Sequence, residues 1–232
     1  MGVALPLVFV AFALRLPAQK ATQPAIVSIR LEQKLVDQTK TVPQNTVFRN
    51  GDILRFRLTS HIAGYLYVVD KGTTGEIDTL FPAADAENSS NRIEPDQTKS
   101  VPANGDGWFE VTGPSGFDIL YFLVSATPIA LPPAASPSGQ SLESPENTAP
   151  PPPGLLPRCD DAIFKARGDC IDASAGIAPL PPGAPLPREL APLAGSASRD
   201  IILTDDNGAA DVQPAAAAKL PLIYTFRLAH RD

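Results

Sequence analysis

The sequence predicts an all-β chain, an antiparallel β-sandwich of the immunoglobulin-like kind, broken by a long proline-rich insertion. Three observations predict it. Apolar and polar residues alternate with period two in several short runs, the pattern of strands with one buried and one wet face. Clusters of glycine, asparagine and aspartate separate those runs at roughly 8–15-residue intervals, the spacing of short strands joined by turns. Of the 26 prolines, 16 fall within residues 128–192, so most of that stretch is expected to stay extended or disordered, outside any sheet.

The elements follow in chain order. Residues 2–14 are apolar apart from Pro6, and Leu16-Pro17-Ala18 follows. The run is shorter than the roughly 20 residues that cross a bilayer as a helix and carries a small residue where signal peptidase cuts, so residues 1–18 read as a signal peptide. No lysine or arginine precedes the run, which leaves an uncleaved anchor as the alternative and makes such a segment the one expected membrane contact. Beyond it, Val27, Ile29, Leu31 and Leu35 alternate with Ser28, Arg30, Glu32 and Lys34 to give a first half-buried strand. The Asn50-Gly51-Asp52 turn leads to a second, in which Leu54, Phe56 and Leu58 alternate with Arg55 and Arg57. The run from Gly64 through Tyr65, Leu66, Tyr67, Val68 and Val69 is apolar on both faces, as a central strand covered by a second sheet or by the insertion would be. A glycine turn at Gly72 and Gly75 passes the chain to a strand ending at Phe81-Pro82.

Residues 83–97 are too polar and irregular for a core element and read as a surface loop. Residues 98–101 form a short edge strand, Trp108 to Val111 another, and the continuous apolar stretch from Ile119 to Val124 belongs at the centre of a sheet. After the proline-rich stretch, Ile201-Ile202-Leu203 and the alternating Leu220, Leu222, Tyr224, Phe226 and Leu228 restore strand character. The chain therefore divides into a signal peptide (1–18), a sandwich core (19–130), the insertion (131–198) and carboxyl-terminal strands that complete the sandwich (199–232). Inside the insertion, Asp160 to Arg167 can wind two helical turns, with Asp160 and Asp161 at the positive end, Lys165 and Arg167 at the negative end, and Gly168 as the stop. Cys159 and Cys170 are the only cysteines. An even count in an exported chain reads as a disulfide, here one that staples the small helix.

Composition excludes several chemistries. A net charge of −6 and a pI near 4.9 repel a phosphate backbone, so no nucleic acid is expected as a partner. Two histidines and two cysteines fit no zinc-ligand spacing, and no phosphate-cradling glycine loop, dinucleotide fingerprint or Cys-x-x-Cys pair occurs. No cofactor and no metal are expected. The alternating oxygens of Asp85, Glu87, Ser89 and Asn91 lack the glycine and closing glutamate of a calcium loop and read as solvated. For nucleophilic catalysis only His61 and His230 can serve as bases; Ser115 lies in a turn one residue short of a nucleophile elbow, and Ser174 lacks the leading glycine. Asp70, Glu76 and Asp78 gather around one hairpin and form the one carboxylate set able to support glycoside chemistry. Arg167-Gly168-Asp169 spells an adhesion tripeptide, although Gly168 already has a role as helix stop. Tyr65 and Tyr67 share a strand face, where their rings either pack as core or present a flat platform to a sugar or proline-rich ligand.

Gly64-Tyr65-Leu66-Tyr67-Val68-Val69-Asp70, Gly75, Leu80-Phe81-Pro82, Asn91-Arg92, Val101-Pro102 and Gly113-Pro114-Ser115-Gly116 occur in that order. Together they resemble the bacterial family called domain of unknown function 4384, over about Val47 to Pro128. The resemblance implies an exported or envelope-associated β-rich domain and carries over no catalytic residue. The resulting expectation is an exported, periplasmic or extracellular, non-catalytic domain that binds another envelope or extracellular protein or glycan. It does so by strand addition at a sheet edge or through the insertion. The alternatives are an enzyme acting on polysaccharide or peptidoglycan with paired carboxylates, and a glycan or small-ligand sensor built on Tyr65 and Tyr67.

Overall fold

A computed structural model describes residues 24–82, 91–103, 107–131, 156–206, 209–215 and 219–232. The signal segment, Asp85, Glu87, Ser89 and the proline run at 150–153 lie outside the described residues. The fold is all-β, two sheets facing one another across an apolar core, as the alternation predicts. In the first sheet β12 (Ile201–Asp206), β13 (Ala209–Pro214), β1 (Val27–Lys34), β4 (Ile53–Ser60) and β8 (Thr98–Val101) lie side by side. There β2 (Thr39–Val42) also pairs with β1, and β9 (Phe109–Glu110) with β4. In the second the order is β11 (Gly176–Pro179), β14 (Leu222–Arg231), β10 (Gly116–Ser125), β5 (Gly64–Lys71) and β6 (Ile77–Phe81), with β3 (Val47–Arg49) on β14 and β7 (Arg92–Ile93) on β5. Among the named strands pairing is antiparallel except between β3 and β14, which run parallel.

Alternation decides what faces inward. Ile29 and Leu31 of β1, Leu54 and Phe56 of β4, Leu66 and Val68 of β5, Leu120 and Phe122 of β10, and Tyr224 and Phe226 of β14 fill the space between the sheets. At its centre the Phe56 ring meets Phe226 edge-on at 4.9 Å and Phe122 at 5.6 Å, arrangements that satisfy the ring quadrupoles. The most apolar stretch, β10, is central between β14 and β5.

The insertion departs most from its sequence reading. Its described part is not all spacer: Gly176–Pro179 pairs with β14 as an edge strand, a position where a proline costs no ladder bond. Leu180, Leu190 and Leu193 then bury against Tyr67, Val69, Tyr121, Leu123 and Ile223 on the outer face of the second sheet. Residues beyond Pro179 thus add a third layer, which explains why β5 and β10 are apolar on both faces. The loop reading of 83–97 also needs correction at its end, because Arg92–Ile93 pairs with β5 and Ile93 is core. Gly75 has the positive φ expected of its turn, at 94°. Gly64 and Gly116 sit in strands instead, and their reason is close approach: a Cβ on Gly64 would lie 2.5 Å from the Ser125 carbonyl oxygen, and one on Gly116 would strike Thr73.

The small helix α1 (Asp161–Arg167) forms as predicted. Asp160 caps it by accepting from the Ala162 and Ile163 amides, Gly168 ends it in the left-handed region at φ 74°, and Cys159–Cys170 closes the loop around it. Among the described residues no helix is long and apolar enough to cross a membrane.

Candidate functional site

Burying Val27, Ile29 and Leu31 turns Ser28, Arg30, Glu32 and Lys34 outward, and the same alternation on β4 turns Arg55, Arg57 and Thr59 outward. Register then assembles a grid on the solvent face of the first sheet. One row runs Asp211, Ser28, Thr59, Thr98, and the next Ala209, Arg30, Arg57, Ser100. Arg55 stands opposite Glu32 in a third row and pairs with it at 2.6 Å. The guanidinium of Arg55 also stacks on the Trp108 ring, 4.1 Å from its centroid. Arg57 Nη1 donates to Ser100 Oγ at 2.7 Å, and the Thr59 and Thr98 hydroxyls share a hydrogen bond at 2.9 Å. Arg30 is exposed and makes no side-chain hydrogen bond or ion pair among the described residues. Ser28, Arg30, Glu32, Arg57, Thr59, His61 and Thr98 line a groove of about 380 Å³.

His61 closes one end of this groove, with Nε2 2.8 Å from Ser28 Oγ. The Ser28 hydroxyl donates to Asp211 Oδ1, so its oxygen receives the His61 N–H. A catalytic relay runs the other way, with hydroxyl donating to histidine and carboxylate accepting from the far ring nitrogen. Here the carboxylate holds the serine proton directly. These three residues are therefore wired as a polar anchor between β1, β13 and the β4 end.

A second polar cluster occupies one end of the sandwich. Asp70, Asp118 and His230 extend the inward-facing rows of β5, β10 and β14. Thr73, in the β5–β6 turn, donates from both its amide and its hydroxyl to Asp118 Oδ1, each at 2.8 Å, and its oxygen lies 3.0 Å from His230 Nε2. His230 is fully buried and its Nδ1 has no partner, which fits the tautomer with its proton on Nε2. Again the carboxylate takes the hydroxyl proton. The cluster ties the β5–β6 hairpin to β10 and β14. Burial, and after it the carboxylates of Asp118, Asp78 and Glu76, holds the Asp70 carboxyl well above the ordinary carboxylate range, against a lowering hydrogen bond from the Lys71 amide. Asp70 Oδ1 is buried without a partner. Of the acids singled out in the sequence, Asp78 stands directly across from Asp70, while Glu76 and Asp78 are exposed.

Both tyrosines belong to one apolar cluster on the outer face of the second sheet. Tyr67 is 4% exposed beneath the insertion, and its hydroxyl accepts from the Ile129 amide at 2.6 Å. It belongs to the second core and offers no ring face to a ligand, which removes half of the expected platform; Tyr65 is half-buried at the edge of the same cluster. Cys159 and Cys170 are bonded to each other. Arg167, Gly168 and Asp169 are exposed in that loop. Ser115 accepts from the Asp232 amide, and the Ser174 hydroxyl donates to Asp172; neither contacts a histidine. Among the described residues no group of three or more His, Cys, Asp or Glu is arranged to hold a metal. The Arg30 and Arg57 grid was missed in the sequence, where each residue is only the wet half of an alternating strand.

Comparison with known families matches residues 47–128 to a domain of unknown function (DUF4384). That segment runs from β3 through β10. It supplies Arg57, Thr59, His61 and Thr98 to the grid and Asp70, Thr73 and Asp118 to the acidic end; Ser28, Arg30, Asp211 and His230 come from flanking strands. No curated protein and no solved structure shows significant similarity to the chain.

Proposed function

We propose that the chain is an exported, non-catalytic binding domain of the bacterial envelope or its surroundings, and that it works through the solvent face of its first sheet. The observation that carries this reading is the cross-strand placement of Arg30 opposite Arg57. Two like charges set directly opposite one another on a sheet cost stability, and Arg30 has no anion of its own among the described residues to offset it. Such an arrangement is what a surface kept for an outside anionic partner requires. The Cys159–Cys170 disulfide supports an oxidising compartment, and the direction of the hydroxyl protons at Ser28 and Thr73 argues against a nucleophile at either histidine. The test is co-sedimentation of the oxidised chain with a bacterial envelope fraction. Wild type should pellet and an Arg30→Ser/Arg57→Ser double variant should remain in the supernatant; equal pelleting of both would refute the reading.

One observation favours the enzymatic alternative. A carboxyl whose pKa burial raises, set beside exposed carboxylates as Asp70 is beside Asp78 and Glu76, is the kind of pairing that glycoside hydrolysis uses. Turnover of a polysaccharide or peptidoglycan panel, abolished by Asp78→Asn, would establish it, and silence across the panel would remove it.

A further inference from the structure

We infer that the groove between Arg30 and Arg57 binds the carboxylate of an acidic sugar, with the hydroxyls of Ser28, Thr59 and Thr98 along its floor. The inference rests on the binding reading above and adds the class of ligand.

Charge sets the valence. Among the residues that line the groove, Arg30 and Arg57 are cationic and Glu32 is anionic. One positive charge is left over, which matches a monoanion. A phosphate dianion would overfill the site and lie close to Glu32 and Asp211. Geometry sets the shape. Arg30 and Arg57 are direct cross-strand neighbours on one face, and both line the groove. Two adjacent forks present paired N–H donors to a planar carboxylate, a geometry that a lysine pair would not provide. Arg57 is already steadied by its bond to Ser100, so little freedom is lost when it engages a ligand.

The flanking row explains why the anion should belong to a sugar. Asp211, Ser28, Thr59 and Thr98 form a continuous line beside the arginines. Thr59 and Thr98 bond to each other, and Ser28 is held between His61 and Asp211. All three hydroxyls line the groove, and each oxygen keeps acceptor capacity for a ligand. A chain of hexose units carrying one carboxylate each matches a cationic row running beside a hydroxyl row. The groove is polar, with no exposed apolar side chain among the residues that line it, so a lipid tail or an apolar peptide finds no complement there.

The test is calorimetric titration of the folded, oxidised chain with a galacturonic acid trimer, a mannuronic acid trimer and N-acetylmuramic acid, alongside a neutral galactose trimer and inorganic phosphate. At least one carboxylate sugar should bind below about 10 mM, and binding should weaken when salt is raised from about 0.05 to 0.3 M. Arg30→Ala and Arg57→Ala should each weaken it by about tenfold or more, the worth of one charge-assisted hydrogen bond. Arg30→Lys, which keeps the charge and loses the fork, should weaken it by less than Arg30→Ala. The melting midpoint of the free Arg30→Ala protein should equal or exceed that of wild type, since removal of a like-charge neighbour relieves repulsion. Equal binding of the neutral trimer, tighter binding of phosphate, indifference to both arginine variants, or no carboxylate sugar bound at about 10 mM would each overturn the inference. If envelope sedimentation still depends on Arg30 and Arg57 in those cases, the binding face stands and only the ligand class falls. Sedimentation indifferent to both residues removes the two together.

Discussion

Replacing Tyr67 with alanine separates a packed third layer from a loose covering. The ring is 4% exposed, its neighbours are Val69, Tyr121, Leu123 and Ile223 from the sheet and Leu180, Leu190 and Leu193 from the insertion, and its hydroxyl accepts from the Ile129 amide at 2.6 Å. Truncating a fully packed aromatic ring costs about 3–5 kcal/mol through lost transfer energy and the cavity left behind. For a chain of this size that is roughly 10 °C in midpoint. Tyr67→Phe keeps the ring and strips only the acceptor, so it should cost about 1 kcal/mol. Leu190→Ala, at a fully buried site contributed by the insertion itself, should cost about 2–5 kcal/mol. Urea denaturation with an unchanged slope measures all three. A cost below about 1 kcal/mol for both Tyr67→Ala and Leu190→Ala would mean that the insertion only rests on the sheet, because a packed ring with that burial and those neighbours cannot be removed so cheaply.

Asp70→Asn should stabilise the protein at neutral pH. Below its unfolded pKa near 3.8 both states hold the proton and the residue costs nothing. As pH rises toward the raised folded value, the unfolded chain ionises alone and stability is lost. The gain from the substitution should therefore be absent near pH 3, grow as pH rises and level off once the folded group ionises, at about 1.4 kcal/mol for each pH unit separating the unfolded and folded values; an equal gain at pH 3 and pH 7 contradicts the assignment. Tyr224 stacks on Phe122 in the core with its hydroxyl buried and unpartnered, and burial raises its pKa. Tyr224→Phe should raise stability by about 1 kcal/mol, measured by the same denaturation; a loss would mean that the hydroxyl has a partner after all. Replacing Cys159 and Cys170 by serine should cost about 2–3 kcal/mol for so short a loop yet leave the sheets intact, since no residue of α1 is buried. Loss of the β-sheet circular dichroism signal on that replacement would contradict it.

Legibility in the sequence tracked how local each determinant is. Strands β1, β4, β5, β10 and β14 were readable because each carries its own alternation or apolar run, and α1 because its cap, charges and terminating glycine sit within nine residues of one another. Strands β7 and β11 were not. Ile93 is a single apolar residue in polar surroundings, and Gly176–Pro179 ends in proline; both are strands because a long neighbour recruits them, not through their own pattern. The leucines at 180, 190 and 193 were the available signal for the third layer, outweighed by the prolines around them. The arginine grid depends on β1 lying between β13 and β4 and on the register of both pairings. Such non-local choices leave no trace in either strand alone. The same is true of His61 meeting Ser28 and of Thr73 meeting His230. The tyrosine pair stayed open between core and platform because strand alternation says which residues share a face and is silent on what covers that face.

On the proposed reading the partner lands on the solvent face of the first sheet and not on the acidic end of the sandwich. Amide chemical-shift mapping of the isotope-labelled, oxidised chain during titration with polysaccharide released from a bacterial envelope fraction tests it residue by residue. Saturable shifts should gather on Ser28, Arg30, Arg57, Thr59 and Thr98. Shifts gathered on Asp70, Asp78 and Asp118, or a spectrum that does not move, would contradict it.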